Sequence, residues 1–264
     1  MNSRVRIIVM GLFASAVISF AGVSCMQFMS RSDTIYIDTD TLELVQTEPP
    51  KEGDTIAVIK TSLGDIKAVL YPEYAPNAVK NFTELAESGF YDNTYVFQSE
   101  PGVYFGAGCH NKNGELGSDY DEKRETVTQE IHQNLWPFRG ALCSMTTGRE
   151  GGFFKQAFGD SKTLNGSRFA VLNTMTFSEE DKQTLKETNE SVAEVFIEKG
   201  GVPNISQKIT VFGQAYEGFD VIDKLTDLEV EISEEDEERK IPVEDIMIET
   251  IEIETYSQKD SAVQ

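Results

Sequence analysis

The chain has 264 residues, 39% of them hydrophobic, and its 45 acidic against 23 basic side chains give a formal net charge of −22. That balance excludes a nucleic-acid partner, which needs a basic face, and suits a solvated surface. With only two histidines (His110, His132) and three cysteines (Cys25, Cys109, Cys143), no cluster has metal-ligand spacing, so neither a zinc or iron site nor a cofactor is expected.

Arg4 and Arg6 form a basic start, and an uncharged apolar run follows from Ile7 to about Val23. This is the pattern of an export signal and is set apart from the fold. Ser24-Cys25 closes the run like a bacterial lipobox, in which the cysteine is lipidated and becomes the new N-terminus, although Gly22 stands where an aliphatic residue is usual. Apolar residues continue through Met26, Phe28 and Met29, so an uncleaved anchor is the rival reading, since about 20 residues span a bilayer. The arginines would then stay cytoplasmic. Both readings of residues 1–25 leave the rest outside the cytoplasm and tethered to the cell membrane. Residues 26–53, rich in Thr, Asp and Glu and carrying Pro49-Pro50, read as an extended, solvated spacer, with Ile35-Tyr36-Ile37 as a candidate edge strand.

The remainder, about 200 residues, is enough for one domain with its own core. Thr55–Lys60 and Asp65–Leu70 alternate in hydrophobicity around Ser62-Leu63-Gly64 and read as a hairpin. Pro76 opens a helix through Ser88, with Val79, Phe82 and Leu85 on one face and Gly89 as its stop. Short strands follow at Tyr95–Phe97, Val103–Phe105, Ala141–Cys143, Arg168–Leu172 and Val211–Ala215, then a helix over Phe219–Leu225 and a last strand over Ile246–Ile253. Many short strands, few helices and tight glycine turns point to a closed β-barrel. Between two strands, Ser178 reads as an N-cap before an acidic first turn, and Leu185, Val192 and Phe196 recur at helical spacing. One inserted helix over about 178–198 is expected, as a cover on the barrel or as a recognition element beside a binding face. The acidic run 233–238 reads as a solvated loop, lacking the spacing and glycine of a folded calcium loop, and residues 257–264 as a frayed tail. Cys109 and Cys143 are open to two readings, a disulfide or two buried thiols.

Six pieces occur in a telling order: Leu63-Gly64-Asp65-Ile66; Ala75-Pro76-Asn77-Ala78-Val79-Lys80-Asn81-Phe82; Gly89-Phe90-Tyr91-Asp92-Asn93; Arg139-Gly140-Ala141-Leu142-Cys143-Ser144-Met145; Asn165-Gly166-Ser167-Arg168-Phe169; and Gly200-Gly201-Val202-Pro203 leading to Thr210-Val211-Phe212-Gly213. Together, from about Asp54 to Tyr256, they resemble the cyclophilins, a family of peptidyl-prolyl cis–trans isomerases. The resemblance implies a mainly β fold: a closed antiparallel eight-stranded barrel capped by two helices, with the inserted helix added. It also implies an outer groove for a proline-containing peptide or an exported protein.

The family's groove uses an Arg that hydrogen-bonds the prolyl amide, an apolar pocket, and Gln and Asn groups that hold the peptide backbone. Carried over by position, Phe97-Gln98-Ser99 stands where the family has Phe-His-Arg, so the catalytic Arg is Ser99. Val103 replaces a pocket Phe, Gly106 a backbone-holding Gln, Arg168 the Gln of the NGSQF motif, and Ala170 a second pocket Phe. Ile205 falls in the Trp-Leu region and Ile209 at the His or Tyr position. Met145 survives, and the Asn beyond it becomes Thr146 or Thr147. The candidate groove is thus Gln98, Ser99, Val103, Gly106, Met145, Thr147, Arg168, Ala170, Ile205 and Ile209, with Arg168 as a substitute cation and Cys25 as a lipidation site. Two functions compete: a prolyl isomerase acting on exported proteins with weakened or absent catalysis, and an inactive peptide- or protein-binding module of the cell envelope.

Overall fold

The computed structural model describes residues 4–8, 34–38, 40–114, 127–146, 164–233 and 239–258. The domain is built on strands β3 (Thr55–Thr61), β4 (Gly64–Leu70), β5 (Thr94–Glu100), β6 (Tyr104–Cys109), β8 (Ala141–Thr146), β9 (Leu164–Leu172), β10 (Val211–Glu217) and β13 (Met247–Thr255). They run in the order β6-β5-β13-β3-β4-β10-β8-β9, and the pairing of β6 with β9 closes the ring. Every pairing is antiparallel, which gives the expected closed eight-stranded barrel. The two-residue strand β7 (Val127–Thr128) pairs with β9 outside the ring.

Helix α1 (Pro76–Glu87) buries Ala78, Val79, Phe82, Leu85 and Ala86. Pro76 sits in its first turn, where a missing N–H costs no intrahelical bond. Its N-cap, Ala75, offers no side chain, so the Glu130 carboxylate accepts from Asn77 N (3.2 Å) and Ala78 N (2.8 Å) instead. Phe82 stacks against Phe169 (5.4 Å between ring centroids) and Phe212 (5.1 Å), which identifies the faces carrying those residues as the inside of the barrel. The short helix α4 (Phe219–Leu225) buries Val221, Ile222 and Leu225 in the same core.

The expected single insert helix is two, α2 (Glu179–Thr188) and α3 (Glu190–Lys199). Asn189 divides them: its backbone is extended, and its side chain accepts from Val192 N as the N-cap of α3. A local side-chain bond here outcompetes helix continuation. The pair covers the barrel through a second apolar cluster in which Val192 and Phe196 meet Ile37, Trp136 and Phe138.

The segment read as a solvated spacer packs against this cluster. β2 (Thr34–Asp38) pairs with β1 (Arg4–Ile8), where Arg4-Val5-Arg6-Ile7 has the alternation of a strand as well as the basic start read above. Beyond β2, Gln46 is buried and plugs the barrel wall. Its Nε2 donates to Trp136 O (2.8 Å) and Gln214 Oε1 (2.9 Å), and its Oε1 accepts from Trp136 N (2.6 Å). A polar, Pro-containing segment is held here because one side chain satisfies three buried groups. A small ribbon of β11 (Val230–Ile232) and β12 (Lys240–Pro242) brackets the acidic run, of which 234–238 lie outside the described residues. Gly22, Cys25, Thr147 and residues 259–264 lie outside them as well.

Candidate active site

The β5–β6 hairpin turns through Pro101-Gly102-Val103, with Val103 N donating to Glu100 O and Gly102 in the left-handed region at φ 70°. From this turn the pairs run Glu100↔Tyr104, Ser99↔Phe105 and Gln98↔Gly106. The register then slips, so that Val96 rather than Phe97 pairs with Ala107. Phe97 is the extra residue of a β-bulge.

This register settles which side chains face outward. Phe105 pairs with Val171 and Ala107 with Phe169, so these residues share the inner face with Phe169. Ser99, opposite Phe105, faces inward too: it is 0% exposed, and its Oγ donates to Leu225 O at 2.9 Å. The placement of Ser99 in the groove is therefore corrected. In a straight strand Ser99 would share a face with Phe97, and the bulge at Phe97 moves each following side chain to the opposite face. Gln98 takes the outer position, across from Gly106, which in turn lies across from Ala170.

Around that row the outer face is apolar. An ideal Cβ on Gly106 would meet Phe97 Cζ at 3.2 Å and Met145 Sδ at 3.3 Å, so these two side chains converge over it. Phe97 is packed on its other side by Gly114. Ala170 is 0% exposed and Val103 is half-buried against the main core. Ile205, in the 3-10 turn Pro203–Ile205, and Ile209 are both buried in the core as well.

Gln98 itself is 1% exposed, and neither its Oε1 nor its Nε2 has a hydrogen-bond partner among the described residues. Two polar atoms on the 203–206 segment, Asn204 Oδ1 and Ser206 Oγ, are buried and unpartnered in the same way. Most buried polar groups in folded chains are satisfied.

Arg168 does not point to solvent. It is 5% exposed, its Nη1 donates to Gly114 O at 2.8 Å, and its guanidinium carbon lies 6.0 Å from the centre of the Phe97 ring. Arg239, missed in the sequence because it merely closes an acidic run, donates from its own Nη1 to the preceding carbonyl, Asn113 O. Two arginines thus hold consecutive carbonyls of the 110–114 loop. Burial brings the Arg168 pKa down to about 10; Cys109 opposes that shift and the Arg239 charge adds to it. Arg168 therefore remains a cation at neutral pH.

Cys109 and Cys143 are buried, and neither is in a disulfide among the described residues. His110 packs edge-on to Phe90 and His132 against Tyr74. Trp136 is a packing residue of the second cluster. Among the described residues, no group of three His, Cys, Asp or Glu side chains stands together as a metal site would require. Among them, too, no helix is long and apolar enough to cross a membrane.

The sequence profile of the family described as cyclophilin type peptidyl-prolyl cis-trans isomerase/CLD matches residues 56–253. A Streptococcus pyogenes protein described as a bifunctional phosphatase/peptidyl-prolyl cis-trans isomerase is 30% identical over 199 residues, covering 74% of this chain but only 38% of its own length. A Staphylococcus aureus protein described as a peptidyl-prolyl cis-trans isomerase is 25% identical over 214 residues, 77% of this chain and 94% of its own. The crystal structure of a cyclophilin type isomerase from Cryptosporidium parvum superposes with a TM-score of 0.55 at 21% identity, over 78% of this chain and 99% of that one. The same protein solved in the presence of the dipeptide ala-pro gives a TM-score of 0.54 at 21% identity, over 76% and 99%. At that identity these structures share the fold.

Proposed function

The chain belongs to the cyclophilin-type peptidyl-prolyl cis-trans isomerase family, and from that premise we propose that it binds proline-containing segments of exported proteins outside the cytoplasm and isomerises them slowly. The observation that carries the low turnover is the outer row of Gln98, Gly106 and Ala170, in which no residue is a cation or an aromatic ring. An X–Pro bond retains partial double-bond character, with a barrier of about 18–20 kcal/mol. Catalysis must hold the twisted amide better than either planar form. Without a guanidinium aimed at that amide, one preorganised donor is missing, which typically costs about 10²–10³ in rate. Val103 and Ala170 also offer a proline ring less apolar area than two phenylalanines would.

A second reading, a binding module without turnover, is favoured by the burial of Met145 and Ala170, which leaves little of either side chain open to a proline ring. The location outside the cytoplasm is supported by Arg4, Arg6 and the apolar run that ends at Ser24-Cys25. Cleavage before Cys25 would remove β1 and leave β2 held through the buried Ile37.

NMR exchange spectroscopy on an Ala-Pro peptide, with chemical-shift titration of the protein, tests the activity. Shifts at Val103, Gly106 and Ala170 with slow exchange are expected. Shifts without exchange leave the binding module, and no shifts at all dismiss both. Membrane fractionation of the full chain and its Cys25→Ser variant tests the tether. A soluble wild-type chain refutes it, while loss of the membrane fraction only in the variant separates lipidation from an uncleaved anchor.

A further inference from the structure

Gln98 is an anomaly in the barrel wall. The other buried carboxamides of the wall and caps are used: Gln46 binds Trp136 and Gln214, Gln214 donates to Arg139 O, Asn81 donates to Gly166 O, and Asn173 donates to Thr226 and Asp223. Among the described residues, Gln98 alone of these carboxamides keeps both polar atoms unpartnered, at 1% exposure. A buried amide in that state destabilises the fold, and an apolar side chain of the same length would relieve the penalty. Its position is also specific. The bulge at Phe97 turns it outward, Gly106 and Ala170 beside it have no bulk, and Phe97 and Met145 form the apolar walls.

We propose that the Gln98 carboxamide is the group that meets the prolyl amide, with Nε2 donating to the prolyl nitrogen in the twisted state and Oε1 accepting a peptide N–H. This rests on the reading of the domain as a slow isomerase. The chemistry needs no covalent step. In the planar amide the nitrogen lone pair is delocalised into the carbonyl and accepts hydrogen bonds poorly. As the bond twists, conjugation is lost and the lone pair localises on nitrogen, so a donor fixed there binds the transition state better than either ground state. A neutral N–H is a weaker donor than a cation, by roughly half, in keeping with slow turnover. The peptide displaces the side chains that now bury the amide, and little water competes for it.

The test compares the full-length wild type with Gln98→Met and Gln98→Asn, using exchange spectroscopy on a tetrapeptide with one Ala-Pro bond, peptide titration and thermal melting. The expected result for Gln98→Met is at least a tenfold loss of exchange rate at saturating peptide, together with a raised Tm. A merely structural glutamine would instead lower Tm. Gln98→Asn, which draws the amide back by one methylene, should lose rate to a lesser extent and serves if Gln98→Met does not fold. Wild-type rates in either folded variant overturn the assignment of Gln98 while leaving the isomerase intact. Absence of exchange in the wild type overturns both.

Discussion

The Ser99 hydroxyl donates to the carbonyl oxygen of Leu225 across 2.9 Å inside the barrel, tying strand β5 to the last turn of helix α4. The residue that motif comparison puts at a catalytic position is therefore a structural one. The group that faces outward is its neighbour, Gln98.

Ser99→Arg will not restore isomerase activity. The side chain would enter a closed apolar interior, where an uncompensated charge costs several kcal/mol. Ser99→Ala leaves the Leu225 carbonyl without its donor and should cost about 1–2 kcal/mol. Urea denaturation with exchange spectroscopy checks both. A folded Ser99→Arg protein with raised turnover would refute the inward placement.

Gln46→Ala removes one side chain and strands two buried groups, the Trp136 N–H and Gln214 Oε1, while the Trp136 carbonyl keeps its bond from Phe138 N. A loss of about 2–4 kcal/mol is expected, with earlier proteolysis between residues 40 and 50 than in the wild type. An unchanged denaturation midpoint would show that this segment contributes nothing to the domain.

Gly114→Ala should be destabilising by about 1–3 kcal/mol, because φ is +74° there and an added Cβ would lie 2.3 Å from the Phe97 ring. The displaced loop would carry the Arg168 acceptor with it. Chemical shifts of the Arg168 side chain report this, and an unperturbed guanidinium would contradict the packing of the loop on Phe97.

Stability should fall as pH rises above about 9. Burial raises the Cys143 thiol well above its usual value, raises Tyr71 strongly, and pushes Tyr216 up to about 12. Each group keeps its proton to higher pH in the folded chain than in the unfolded chain. The stabilisation is complete below the unfolded pKa values and is lost as the unfolded state deprotonates first. Arg168, shifted downward, offsets part of this above about pH 10. Urea midpoints at about pH 8 and about pH 10.5, in wild type and Cys143→Ala, measure the loss, and the variant should show a smaller one. A flat profile would count against the burial of these groups.

Much of the site's scaffold was legible because its signals are local. The Pro101-Gly102 turn, the alternation in β3 and β4, Pro76 at a helix start and the helix over Phe219–Leu225 all depend on neighbouring residues. Even the correct register was within reach, since counting outward from the turn at 101–103 puts Gln98 opposite Gly106. Motif matching hid it, because Phe97 resembles a family residue while acting as a bulge. The break at Asn189 was readable in the same way, as an N-cap type inside a helical pattern.

By itself the sequence determined where most strands and helices lie, because hydrophobic period and turn chemistry are short-range, and six motifs in order carried the resemblance to the family. Only the tertiary structure decided what each site residue does. Whether a strand side chain looks inward or outward depends on pairing with a distant strand, and one inserted residue reverses it. The same long-range contacts drew Arg168 down onto Gly114 and fixed Gln46 into the wall, leaving Gln98 with an amide that no described residue satisfies.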